Sequence, residues 1–135
     1  MDEIQAAVLR VKLKHLEVWN NRRKIIAGQY DRKLTKKLRI LMKRKYNNPA
    51  YHIYPIFSKR RNGLRDYLAK KGISTLIHYP FPIHLQKAYE GMSIKRKYLH
   101  NSENLANEEL SLPIGPFLEN PEVEYIIKNI NDFFS

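Results

Sequence analysis

The sequence predicts an α+β fold: a long N-terminal helix, then a small, mainly antiparallel sheet flanked by helices. Three observations carry this. Apolar residues recur at helical spacing from Ile4 to Ile26. Three short β-prone runs, at 50–57, 72–77 and 110–114, are each followed or preceded by a helical pattern. The resulting order is helix, strand, helix, strand, helix, strand, helix. At 135 residues the chain is sized for a single domain with a modest core. Its parts are a long helix within residues 1–36 and an α+β unit over 50–135.

Each element has its own warrant. Asp2–Thr35 reads as one helix, with Asp2 and Gln5 forming a start like a capping box. Ile4, Val8, Val11, His15, Val18, Trp19 and Ile25 make a stripe that Leu9, Leu13 and Leu16 widen. A surface that apolar needs cover on more than one side and is an interface or an aggregation risk if left bare. His15, lying on the stripe, is expected to pack in the core. Ala50–Phe57 alternates aromatic and apolar residues and reads as a strand, with Pro55 arguing for an edge or a bulge. Ser58 caps a helix that Gly72 closes. After the 72–77 strand, Ile83–Tyr89 is a short helical turn. Ser102 opens a helix through Glu108 with Leu105 and Ala106 inward, and Leu110–Ile114 is a strand. Asn120-Pro121-Glu122 starts the final helix, whose buried face is Val123, Ile126, Ile127 and Ile130.

Composition excludes several classes. There is no cysteine, hence no disulfide or thiolate chemistry, and no apolar run approaches the ~20 residues of a membrane span. The N-terminus lacks an apolar signal core, so cytoplasm is the expected location. The net charge of +12 is uneven. Residues 1–50 hold 14 Lys/Arg against four Asp/Glu, whereas 101–135 hold one Lys against seven acidic residues. Such polarity points to one basic face rather than a nucleic-acid-binding domain, although the Lys33–Lys45 run keeps that alternative open.

The chemistry-bearing stretch is Gly72–Gln86, G-I-S-T-L-I-H-Y-P-F-P-I-H-L-Q. Ile73, Thr75, Leu76 and Ile77 favour a short buried strand, and Pro80 and Pro82 end it. His78, Tyr79 and His84 are thereby mounted at or past a strand end, where binding groups commonly sit. On composition alone a packed turn is the readier account of two histidines and a tyrosine beside two prolines. A metal site does not fit: the histidines are six apart and no cysteine or carboxylate completes a ligand set.

The run I-H-Y-P-F-P-I-H-L-Q, with Y-L-A-K-K-G-I before it and E-L-S-L-P-I after, resembles the C-terminal portion of the DegT/StrS-type sugar aminotransferases. The opening M-D-E-I-Q-A-A-V-L-R-V-K-L resembles the start of that family's helix joining its large and small domains. The similarity runs from Met1 to about Phe134. It implies the C-terminal small domain of a fold-type-I enzyme that uses pyridoxal phosphate to aminate nucleotide-linked keto-sugars. By matching position it implies that His78, Tyr79 and His84 face the substrate, with His52, Tyr54 and Gln86 ranked behind. It also implies that the Schiff-base lysine and the cofactor phosphate donors belong to a large domain, since no lysine here sits in the family's motif. No catalytic residue is therefore assigned, and the cofactor is not expected to bind this chain alone.

Three readings follow. The chain is a small-domain piece of such an enzyme, closing one side of the cleft and inactive alone, with a large domain or homodimer partner completing it. Alternatively it is a stand-alone module docking on a separate large-domain partner, or a basic nucleic-acid-binding domain.

Overall fold

The computed structural model describes residues 2–91 and 99–135. Two helices, α1 (Glu3–Leu13) and α2 (Leu16–Lys33), precede strands β1 (Arg39–Ile40) and β2 (Tyr54–Phe57). Helix α3 (Arg61–Lys70), two 3-10 turns (Ile83–Leu85 and Lys87–Tyr89), α4 (His100–Glu108), β3 (Glu109–Leu112) and α5 (Asn120–Phe134) complete the order. The strands form one antiparallel sheet, β1-β2-β3, in keeping with the α+β class.

One sheet face makes the core. Tyr54, Ile56, Leu110 and Leu112 alternate onto it and meet Ile26, Ala27 and Tyr30 of α2, Leu64 and Leu68 of α3, and Val123, Ile126, Ile127 and Ile130 of α5. Each fully buried aliphatic side chain stabilises by about 1.5–3 kcal/mol, so truncating Leu64 or Ile130 strikes where the fold is held. The opposite face presents Pro55, Phe57, Glu109 and Ser111, and Ala106 of α4 is buried beside it.

Several expectations need correction. The first helix is two: Lys14 and His15 donate their amides to Val11 and Lys12 at 3.2 and 3.0 Å, a tightened turn that ends α1. No proline or glycine marks the break, and the apolar rhythm runs straight through it. Asp2 makes no side-chain cap bond, and α1 buries no residue. His15 is exposed and stacks on Trp19 at 5.6 Å rather than packing in the core. The 72–77 strand is a single bridge, Leu76 to Ser111, and Leu76 is 64% exposed because nothing among the described residues covers its outer side. Leu105 is likewise more exposed than expected.

Pro55 lies in the central strand, neither at an edge nor in a bulge. The main-chain N–H and C=O of its partner Ser111 turn away, to Leu76 at 2.8 and 3.2 Å. Pro55 therefore directs its missing N–H toward β1, which has already ended at Ile40. No ladder bond is lost.

Neither Ser58 nor Ser102 caps its helix, since α3 starts behind Arg60 and α4 behind Leu99 without a side-chain cap bond. The end of α3 and the start of α5 act as expected. Gly72 adopts φ +74°, its amide bonds Ala69 at 3.0 Å and the Ile73 amide bonds Leu68 at 2.9 Å, a Schellman cap on α3. Helix α5 starts with a capping box between Glu119 and Glu122. Arg22 clasps that start, donating to the Leu118 carbonyl at 2.5 Å and to Asn120 Oδ1 at 2.9 Å. Asn131 closes the end of α2, accepting from the Thr35 amide and donating to the Lys33 carbonyl, both at 2.9 Å. Among the described residues no helix is long and apolar enough to cross a membrane. The basic stretch Met92–Asn101 lies mostly outside them.

Candidate functional site

A cleft of about 730 Å³ opens on the face of the sheet opposite the core. Its floor is Pro55, Phe57 and Glu109, one wall is α4 with Leu105 and Ala106, and the other is the 78–89 segment. Pro82 is extended at φ −57°, ψ 146°, and the two 3-10 turns then fold the segment back. His78, Tyr79 and His84 all line this cleft, joined by Gln86 and Tyr89. Phe81 and Ile83 make its lip largely apolar. Tyr54 is elsewhere, in the core against Tyr30, and His52 is exposed beyond the cleft.

The three rings are held differently. The His78 amide donates to Glu109 Oε2 at 2.8 Å, and its Nδ1 meets Ser111 Oγ at the same distance. His84 is the buried one, its side chain 6% exposed and its Nε2 2.9 Å from Glu103 Oε1. This bond pins the first 3-10 turn to α4. Tyr79 is 83% exposed and sits at φ +56°, a left-handed conformation rare for a residue preceding proline. Backbone strain of that kind persists where surroundings impose it, and it concentrates at binding sites.

Sequence pattern alone does not single out Glu109, Ser111 or Glu103. It leaves Glu109 between the helix ending at Glu108 and the strand beginning at Leu110, whereas Glu109 opens β3 and its side chain is buried on the cleft face. The available signal is E-L-S-L itself: residues two apart share a strand face, so Glu109 and Ser111 stand together among apolar neighbours. The described residues lining the cleft include no lysine and no arginine. They offer no amine for a Schiff base and no cation for a cofactor phosphate. Among the described residues there is also no His/Asp/Glu cluster fit to hold a metal ion.

The model of the DegT/DnrJ/EryC1/StrS aminotransferase family matches residues 1–131. The chain belongs to that family. The dTDP-3-amino-3,4,6-trideoxy-alpha-D-glucose transaminase of Streptomyces venezuelae is 38% identical over 135 residues, covering 98% of this chain and 36% of that protein. The crystal structure of S. venezuelae DesV in complex with a ketimine intermediate superposes with a TM-score of 0.93 at 38% identity, over 98% of this chain and 36% of that one. A family aminotransferase from Brucella abortus gives 0.92, with the same identity and coverage. The chain thus spans about 36% of the length of these relatives, and the portion it matches is C-terminal. The family is pyridoxal-phosphate-dependent.

Proposed function

We propose that this chain is the small-domain part of an aminotransferase acting on nucleotide-linked keto-sugars, and that its cleft is one wall of the substrate site. The observation that supports this most is the meeting of His78, Tyr79 and His84 on a single apolar cleft in a chain of this family. Neutral rings with polar atoms hold sugar or phosphate oxygens without the cost of burying a fixed charge. Tyr79 presents a free-standing hydroxyl, His78 a half-covered imidazole, and His84 an anchored ring edge. Phe81 and Ile83 add exposed apolar surface beside them.

Pyridoxal phosphate, when bound, supplies the electron sink that amino transfer requires. The residues here do not suffice to hold it. A large domain, or a homodimer partner, supplies the lysine and the phosphate donors, and this chain is inactive by itself. The test combines the chain with the complementary large-domain segment of a relative, pyridoxal phosphate, an amino-acid donor and a dTDP-keto-sugar. Amination is expected only in the mixture, and His78→Ala is expected to lower kcat/KM at least about tenfold, the scale of a lost substrate hydrogen bond. Transamination by the chain alone would refute the reading, as would a stable but inert complex.

A docking module for a separate large-domain protein is the second reading, favoured by the bare apolar row of α1. Retention of such a partner in co-expression supports it. The basic run is a weaker basis for nucleic acid: Lys33 pairs with Glu124, Arg39 with Glu108, and Lys37 bonds the Phe134 carbonyl, so these cations are turned onto their own chain.

A further inference from the structure

We propose that Ser111 is a positioning residue that locks His78 in its Nδ1–H tautomer. The bare Nε2 lone pair is then what the imidazole offers the cleft, and it accepts a hydrogen bond from a ligand hydroxyl.

Proton counting gives the direction. An ionised carboxylate only accepts. Glu109 takes the His78 amide on Oε2 at 2.8 Å and the Ser111 hydroxyl on Oε1 at 2.5 Å. A serine hydroxyl has one proton, and here it is spent on Glu109. Its oxygen, 2.8 Å from His78 Nδ1, is left to accept, so Nδ1 carries the hydrogen. In a neutral imidazole Nε2 is then unprotonated. Nε2 bonds no described residue, and the side chain is 34% exposed and lines the cleft. The relay is fixed at its base, because Glu109 is buried in β3 and the Ser111 backbone is paired to Leu76 on one side.

The lock selects among ligand groups. A lone pair at Nε2 repels a phosphate oxygen and pairs with an O–H donor, which is what a sugar or nucleoside ring carries. For the identity of the ligand this rests on the function proposed above. The tautomer itself does not.

The test is imidazole 15N NMR on the full chain at about pH 8.5, where an ordinary imidazole is neutral. Wild type is expected to show His78 protonated on Nδ1. Ser111→Thr keeps the hydroxyl and the tautomer. Ser111→Ala removes the acceptor and shifts the tautomer ratio by roughly five- to tenfold toward Nε2–H, the worth of one hydrogen bond. Glu109→Gln reverses the relay. Its carbonyl keeps the His78 amide and its NH2 donates to Ser111, which frees the hydroxyl to donate to Nδ1 and moves the proton to Nε2. A purely structural role for Ser111 predicts no such inversion. Wild-type His78 protonated on Nε2, or a Glu109→Gln variant with an unchanged tautomer, overturns the proposal. In the reconstituted enzyme Ser111→Ala should raise KM and Ser111→Thr restore it. A reconstitution that fails altogether sinks the function proposed above, while the tautomer measurement on the chain alone still decides the role of Ser111.

Discussion

The Tyr54 hydroxyl donates to Asp31 Oδ1 at 2.6 Å, tying the central strand to α2 at the margin of the core. Tyr30 lies against it, ring centroids 4.9 Å apart, and donates to the Pro113 carbonyl at 2.7 Å. Burial pushes both phenols far above their ordinary range, and for Tyr54 the Asp31 hydrogen bond adds to it. The unfolded chain loses these protons near pH 10 while the folded chain keeps them. Stability is therefore whole below about pH 10 and falls as pH rises beyond it, by about 1.4 kcal/mol per unit for each phenol. Urea titrations between pH 8 and 11 should show that slope, and Tyr54→Phe should remove roughly half of it. A flat profile across this range contradicts the assignment.

His84 is a fastener between the first 3-10 turn and α4. Replacing it with Ala removes the bond to Glu103 and should cost about 2 kcal/mol, the usual worth of a hydrogen bond to a charged group. Hydrogen exchange should quicken in α4 and the 83–89 turns while α5 stays protected. Uniform loosening of the whole chain would show that the contact is not local.

Two glycines should respond oppositely to alanine. At Gly72 a Cβ has open space, but φ +74° makes it costly, about 1 kcal/mol. At Gly63, inside α3, the new methyl meets Phe133 at an ordinary 3.6 Å and helix propensity gains, so stability should rise by about 0.5–1 kcal/mol. Chemical denaturation of the two variants decides both signs.

Helix α1 has 11 residues, none buried. Helices that short are marginal in water without packing. Its amides should exchange nearly as fast as in an unfolded peptide in the isolated chain, and slow markedly once the complementary large-domain segment is added. Strong protection in the isolated chain would mean that self-association already covers the row.

Much of this fold can be read from residues alone. Helix α5 follows from the 3–4 spacing of Val123, Ile126, Ile127 and Ile130 behind Asn120-Pro121, and the end of α3 from Gly72. What cannot be read depends on distant neighbours. Periodicity speaks to shape and not to continuity, so the turn at Lys14–His15 is silent. Strand propensity at 73–77 reports pleated geometry, and burial follows only where the core supplies a neighbour. Ile73 joins it and Ile77 packs against it, whereas Leu76 points outward and is left bare. The cleft's rings are visible as polar groups around two prolines. Their fastenings are not, since Glu109, Ser111 and Glu103 lie 19 to 33 residues away in sequence.

If a separate partner seats on the row of α1 from Ile4 through Val11, as the docking reading proposes, this polypeptide's lifetime depends on stoichiometry. Made in excess of whatever seats on it, the surplus is surveyed by chaperones and proteases as an orphan, because exposed apolar surface is what that triage reads. Its cellular half-life in a pulse-chase should then lengthen as its cover is co-produced, and level off once the two are matched.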